Sequence, residues 1–175
     1  MKKKSFNMNI CVVSTDYPSK KRAVFTFVLP LVEELVNSGV NCTVIAPFSI
    51  TNSFIHRHVY EKKYELAITK EGNKYEIYRP NYVSFSNLKI FGFSLSTYFH
   101  RKAIERTLEK IKRPNVIYGH FWNSAVGSYK YAAKLDLPLF VAAGEECVPE
   151  LELSSKKVKS FYKFIKGVIC ISSVR

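Results

Sequence analysis

The chain has 175 residues, enough for one domain with a sizeable hydrophobic core. Hydrophobic residues make up 47% of the chain, which excludes a disordered protein. No apolar run approaches the roughly 18 residues that a membrane-spanning helix needs, and no long apolar segment follows the basic start, so a secretory signal is not expected. The formal net charge of +13 either attracts a polyanion or keeps a solvated surface soluble, and charge alone does not choose between them.

Predicted strands and helices alternate along the chain. The continuous apolar run at residues 9–14 predicts a parallel strand that is covered on both faces. Helical spacing follows at residues 23–37, where Pro30 either kinks the helix or moves its start to residues 26–27. The remaining predictions are a strand at 40–46, a hairpin of 64–69 and 74–79, a long aromatic-rich loop at 80–96, a helix at 97–112, a strand at 115–118, a helix at 124–135, a strand at 137–142, a basic amphipathic helix at 154–165 and a strand at 167–172.

This alternation predicts a Rossmann-like α/β fold. Strands separated by helices form parallel βαβ units with right-handed crossovers, so we expect a three-layer α/β/α sandwich with a mainly parallel sheet and a hairpin insertion. Residues 8–175 are expected to form this single domain, after a disordered tail at residues 1–7. Ligands of such sheets bind at the carboxyl ends of the strands, so the residues that follow each strand carry the functional information.

The four cysteines do not indicate a metal site. They are Cys11, Cys42, Cys147 and Cys170, and no two of them have metal-ligand spacing. Small, reduced core residues of a cytoplasmic protein are the expected role. A nucleic-acid binder is disfavoured, because no recognised motif is present and the aromatic residues do not interleave with the basic blocks.

The loop after the first strand reads STDYPSKKRAV, with Asp16 and Tyr17 at the tip of the strand. It contains no glycine, and the chain has neither the dinucleotide fingerprint G-x-G-x-x-G nor a P-loop, which disfavours an NAD enzyme. Lys20 and Arg22, with the lysine between them, either meet a phosphate through their side chains or form solvated surface.

The stretch VIYGHFWNSAV passes from a strand to a helix through His120, Phe121 and Trp122. At the carboxyl end of a strand, a histidine can donate to a substrate hydroxyl or stabilise developing charge, although a lone histidine also serves structure. The two aromatic rings offer flat faces to a sugar or lipid, or they pack beneath the loop as core residues.

The stretch AAGEECVPE follows the next strand. Gly144 lets the chain turn, and Glu145 and Glu146 place two acids at the carboxyl edge of the sheet. One of them can accept hydrogen bonds from sugar hydroxyls or act as a base, and the alternative is that they cap a helix or loop.

Five stretches in order, MNICVVSTDYPS, FTFVLPLVEELVNSGVNCTVIAP, PNVIYGHFWNSAV, LPLFVAAGEE and IKGVICISS, resemble the N-terminal domain of GT-B-fold glycosyltransferases of family four. The resemblance covers residues 8–173. It implies an acceptor-binding Rossmann domain facing a second domain that binds the nucleotide-sugar donor and carries two glutamates eight residues apart. The family's paired glycines after the first strand are missing at residues 18–24.

The resemblance also implies roles for individual residues. The family's histidine after the fourth strand falls on His120, near the transferred sugar, and the loop after the fifth strand falls on residues 143–146. We therefore expect His120 and Glu145 to be catalytic. The expected substrate-binding residues are Asp16, Tyr17, Lys20, Arg22, Phe121, Trp122, Gly144 and Glu146. The family needs no metal in this site and no cofactor beyond the nucleotide sugar, which serves as co-substrate.

The expected function is the acceptor-binding half of a retaining hexosyl-type glycosyltransferase in polysaccharide or glycolipid synthesis. The chain stops at Arg175, so we expect the donor domain to be absent from it and the isolated domain to be inactive. The alternative is a non-catalytic, membrane-associated acceptor-binding subunit of a split transferase. The expected partners are a sugar or lipid-linked sugar acceptor and an anionic membrane surface. Residues 154–165 or 80–96 are expected to contact this surface. The expected location is the cytoplasm, at the periphery of the inner membrane.

Overall fold

The computed structural model describes residues 8–19, 27–51, 61–85, 88–90, 93–144 and 155–170. Within these residues, four helices and eleven strands are formed. The helices are α1 (Val28–Asn37), α2 (Leu95–Leu108), α3 (Trp122–Leu135) and α4 (Ser155–Phe164). The strands are β1 (Asn9–Val13), β2 (Asn41–Ile45), β3 (Phe48–Ser49), β4 (Tyr64–Ile68), β5 (Lys74–Tyr78), β6 (Asn81–Tyr82), β7 (Lys89–Ile90), β8 (Phe93–Ser94), β9 (Val116–His120), β10 (Leu139–Ala143) and β11 (Gly167–Cys170).

Seven of these strands form one sheet in the order β11-β10-β9-β1-β2-β5-β4. Every neighbouring pair is parallel except β4–β5, which is antiparallel. The six parallel strands therefore have the doubly wound order, in which the chain starts at the middle of the sheet, moves to one side and then crosses to the other. Between β1 and β9 the direction of winding reverses.

Helices cover both faces of the sheet, which confirms the predicted α/β class. On one face, the buried side of α1 packs on β1, β2 and β5, through residues that include Val28, Val32 and Val36. On the other face, α2, α3 and α4 pack on the sheet around Ile104, Ala125 and Phe161. Successive side chains along a strand point to opposite faces of the sheet, so each strand contributes alternately to the two cores.

The predicted boundaries hold for most elements, and the differences are informative. Helix α1 begins at Val28, so Pro30 lies in the first turn, where its missing N–H group breaks no hydrogen bond. The predicted hairpin is present as β4 and β5, but β5 also pairs with β2 and so belongs to the main sheet. The expected loop at 80–96 contains three short strands and the first residues of α2.

The region between β9 and α3 also differs from its predicted boundaries. Strand β9 continues through His120, and α3 begins at Trp122, so the two elements meet at Phe121 with no intervening loop. No described helix is long and apolar enough to cross a membrane. The predicted tail at residues 1–7 lies outside the described residues, and the extent of the domain stays a prediction.

Candidate functional site

The carboxyl ends of three neighbouring strands lie side by side at one edge of the sheet. Val13 of β1 pairs with Gly119 of β9, and His120 pairs with Ala142 of β10. The chain leaves β1 toward α1 on one face and leaves β9 toward α3 on the other, so a crevice forms between the two departing segments. We call this edge of the sheet the crest.

The turn from β9 into α3 is unusually tight. A Cβ atom at Gly119 would lie 2.6 Å from the backbone N and Cα of Ala125, so only glycine allows the helix to pack this closely on the strand. Phe121 makes the turn with φ 71° and ψ 160°, a region of backbone conformation that is populated almost only by glycine. The turn stores strain at the position that the sequence marks as functional.

His120 ends β9 as a buried imidazole with 3% of its surface exposed. Its Nδ1 atom lies 3.3 Å from the hydroxyl of Tyr118, and its ring centroid is 4.3 Å from that of Phe121. Burial lowers the pKa of His120, and the negative charge of Asp16 opposes this shift only in part. The imidazole is therefore neutral at neutral pH and able to donate or accept a proton through its ring nitrogens.

Ser14 lies beside His120, because it follows the residue that pairs with Gly119. Its hydroxyl is 1% exposed and makes no hydrogen bond within the described part of the chain, although its backbone N–H donates to Ile45. A buried hydroxyl without a partner is costly, and such groups in native proteins call for a specific explanation. An orphaned hydroxyl next to a neutral histidine makes this part of the crest a candidate position for a ligand.

The loop after β1 is held in place by buried groups from the β4–β5 hairpin. Tyr17 is buried and donates to the hydroxyl of Tyr75 at 3.0 Å, and burial together with this contact raises the pKa of Tyr17. Arg79 donates to the carbonyl oxygen of Pro18 at 3.1 Å and forms an ion pair with Glu65 at 2.8 Å. The segment that carries Asp16 is therefore fixed from both sides.

A polar cavity of about 200 Å³ lies at the crest, between the loop after β1 and the starts of two helices. It is lined by Thr15, Tyr82, Ser96, Thr97, His100 and Asn123. We call it the crest cavity. The Nε2 atom of His100 lies 3.0 Å from Oγ1 of Thr15, and the ring of Tyr82 meets the imidazole edge-on. Burial and the neighbouring Arg101 lower the pKa of His100 to about 4, so none of the described lining residues is charged at neutral pH.

The structure brings only part of the predicted set together. Asp16 is half-buried and close enough to influence His120, and Gly144 follows β10 at the same edge. Trp122 is 5% exposed and packs against Phe161 and Tyr162 of α4, on the face of the sheet that α4 covers. Its predicted contact with substrate stays a prediction, as does that of Tyr17. Lys20, Arg22, Glu145 and Glu146 lie outside the described residues.

Two residues of this region were missed by the sequence analysis. His100 and Arg79 are both buried, and each anchors the loop after β1. A signal for His100 does exist, since it shares a helical stripe with Ala103, Ile104 and Thr107 and is the residue least expected there. Within the described ranges, no three histidine, cysteine or acidic side chains cluster as a metal site would require.

Comparisons with known proteins support the fold. No protein-family model and no curated protein matches the sequence. Among solved structures, sucrose-phosphate synthase from Thermosynechococcus elongatus is similar with a TM-score of 0.56 and 12% identity, over 90% of this chain and 39% of that one. MurG from Acinetobacter baumannii is similar with a TM-score of 0.51 and 9% identity, over 93% of this chain and 41% of that one. The chain thus spans about two fifths of these structures, and its fold resembles a Rossmann-like domain of the GT-B type.

Proposed function

We propose that this chain is the acceptor-binding half of a sugar-nucleotide-dependent glycosyltransferase, in which a second domain holds the nucleotide sugar. The observation that carries the proposal is the position of the crest cavity. Thr15 and Asn123 place it where the winding of the sheet reverses, which is where open α/β sheets bind their ligands. The similarity to GT-B domains supports the same assignment at the level of fold.

The chemistry of the crest cavity fits an uncharged sugar. Hydroxyls of Thr15 and Thr97 and the amide of Asn123 supply both donors and acceptors, as a polyol requires. The ring of Tyr82 adds an apolar face for the C–H groups of a sugar. The volume of about 200 Å³ is below the 300–1,000 Å³ usual for drug-sized ligands, so it fits one sugar ring.

In this proposal His120 serves the reaction from the end of β9. His120 and Ser14 do not line the crest cavity as described, but both lie at the carboxyl ends of neighbouring strands, and we assign them to the position where the acceptor and the transferred hexosyl group meet. Asp16 supplies a negative charge near the imidazole, which stabilises a positive charge that develops on it. Glu145 is the proposed second catalytic group, and the nucleotide sugar is the only co-substrate.

The assignment is tested by binding of saccharides to the protein, observed through its backbone amide NMR signals. A panel of neutral monosaccharides and methyl glycosides is titrated, and we expect at least one to shift the amides of Thr15, Thr97 and Asn123. The variant Thr97→Val removes one lining hydroxyl at constant shape and should weaken that binding. Thr43→Val, a matched change in β2 outside the crest cavity, should leave it unchanged. Equal weakening by both variants, or no shift with any saccharide, would refute the proposal.

A further inference from the structure

A second cavity, separate from the crest cavity, lies between α2, α3 and α4. Its volume is about 810 Å³, within the range of small-molecule sites. Residues of α2 and α4 line it from either side, and residues of α3 lie between them. We call it the three-helix groove. The described lining residues of this groove and of the crest cavity do not overlap, so the two are treated as separate sites.

The middle of the three-helix groove is apolar and firmly packed. Val126, Gly127 and Ala133 of α3 line it, and a Cβ atom at Gly127 would lie 2.5 Å from Cδ1 of Ile104. This close approach of α2 and α3 fixes the depth of the groove. Tyr129 adds an aromatic wall, and its ring is held edge-on by Phe161 and Phe164 of α4 at centroid distances of 5.3 and 5.5 Å.

Positive charge lines both sides of the groove. Among the lining residues that the structure describes, there is one acid, Glu105, and there are five cations, Arg101, Lys102, Lys130, Lys156 and Lys157. The Glu105 carboxylate is 13% exposed and binds Lys102 at 2.7 Å and Lys130 at 2.8 Å, so it fixes two ammonium groups in position. These two lysines lower the pKa of Glu105 despite its burial, which keeps the carboxylate ionised. Four positive charges remain in excess of the acid.

The first turn of α4 carries positive charges, which helices usually disfavour at their N-terminus. Lys156 and Lys157 lie in its first turn, which contains no acidic residue. Cations at this end are repelled by the partial positive charge of the helix N-terminus. Departures from a local rule tend to mark functional positions, and an anion in the groove would offset the repulsion at these two lysines.

We propose that the three-helix groove binds one molecule of an anionic lipid, with the phosphate headgroup at Lys156 and Lys157 and the first carbons of the tail along Val126, Gly127 and Ala133. A free phosphate would use only the lysines and make no contact with the apolar residues of α3. An uncharged lipid would offer no charge to the ammonium groups of Lys156 and Lys157. A ligand with both a phosphate and an apolar tail satisfies both halves of the groove.

The test is titration of the protein with dihexanoyl-phosphatidylglycerol below its micelle concentration, observed by amide NMR. We expect shifts at Gly127, Tyr129 and Ser160, with weaker binding of dihexanoyl-phosphatidylcholine and of sodium phosphate. The double variant Lys156→Glu/Lys157→Glu should weaken the binding about tenfold or more, as expected for the loss of charge-assisted hydrogen bonds. Ala133→Trp, which fills the apolar part from an exposed position, should also weaken it.

The matched control is Lys159→Glu/Lys163→Glu, the same charge change on the same helix at positions that do not line the groove. It should retain binding within about twofold, and urea denaturation should confirm that all variants are folded. Equal loss in both double variants would show a diffuse charge effect and refute the site. If the protein bound phosphate alone as tightly as it binds the lipid, the proposed lipid site would also be refuted. Binding of lipid only in the form of vesicles, and only through Lys159 and Lys163, would refute it as well.

Discussion

His100 of α2 and Thr15 of the loop after β1 are joined across 85 residues of sequence, with Nε2 of the imidazole 3.0 Å from Oγ1 of the hydroxyl. The contact ties the loop after β1 to a helix that packs on the face of the sheet opposite α1. It also gives the crest cavity one of its walls. The protonation state of one buried histidine is therefore linked to the geometry of the candidate site.

This link predicts a dependence of stability on pH. The pKa of His100 is about 4 in the folded protein and near 6.5 when unfolded, so the unfolded state binds the proton more tightly. The contribution of neutral His100 to the free energy of unfolding is therefore complete above about pH 6.5. It is lost as the pH falls toward 4, which lowers the free energy of unfolding by up to about 3 kcal/mol. Urea denaturation at several pH values measures this effect. In His100→Gln the loss between pH 6.5 and 4 should be smaller, and an unchanged loss would contradict the assigned pKa.

The close contact of Gly119 with Ala125 predicts a large cost for any side chain at this position. Gly119→Ala places a methyl group 2.6 Å from helix backbone, which cannot move as a flexible side chain would. We expect a loss of about 3 kcal/mol in the free energy of unfolding, typical of overpacking. Gly72→Ala is the control, because Gly72 has φ +86° but open space around it, so only about 1 kcal/mol of backbone strain is expected there. Equal costs for the two variants would contradict the steric explanation.

The backbone of Phe121 predicts an unusual ranking of substitutions. Phe121→Gly and Phe121→Ala both remove the ring that contacts His120, but only glycine relieves the strain of φ 71°. Phe121→Gly should therefore be the more stable of the two by about 1 kcal/mol or more. Urea denaturation of both variants measures the difference. If alanine is equally stable, the positive φ is not a source of strain.

The proposed role of His120 predicts the kinetics of a variant in the complete transferase. His120→Ala should lower kcat by about 100-fold or more, the size expected for loss of a group that moves a proton or stabilises charge. His100→Gln, which alters a wall of the crest cavity, should act mainly on KM for the acceptor. Steady-state kinetics with a labelled nucleotide sugar separates the two effects. Normal turnover in His120→Ala would remove this residue from the reaction.

The buried ion pair behind the first loop predicts a loss of stability when one partner is removed. Arg79→Met leaves the carboxylate of Glu65 without its partner and the carbonyl of Pro18 without its donor. We expect the free energy of unfolding to fall by about 3 kcal/mol, as for other broken buried pairs. Glu65→Gln keeps the bond of Arg79 to Pro18 but leaves the more deeply buried charge without a counter-ion, so a comparable loss is expected. A larger loss in Glu65→Gln would show that the contact with Pro18 contributes little.

Most elements of the fold could be predicted from the sequence, because their signals are local. The apolar runs of β1 and β2, the helical spacing before Ser38 and the turn between β4 and β5 each reflect one stretch of chain. Of the two alternatives that Pro30 left open, a kink or a start near residues 26–27, the observed start at Val28 agrees with the second to within two residues.

The missed features depend on contacts between distant residues. Nothing near Arg79 or His100 in the sequence shows that both anchor the loop after β1, since their partners are 61 and 85 residues away. The strained turn at Phe121 was also not predictable, because it arises from the packing of α3 on β9 at Gly119. Local propensity favoured a loop there, and tertiary packing overrode it.

The doubly wound strand order also has a consequence for folding during synthesis. Strands β1 and β2 are made early, but the other neighbour of β1 is β9, and Asn9 contacts Asn115 across 106 residues. Until the ribosome has released β9, the central strand of the future sheet has one open, apolar edge. Such edges pair readily with other chains, and late closure of distant strands slows folding. The nascent chain is therefore most prone to aggregation, and most dependent on chaperones, before Val116–His120 emerges.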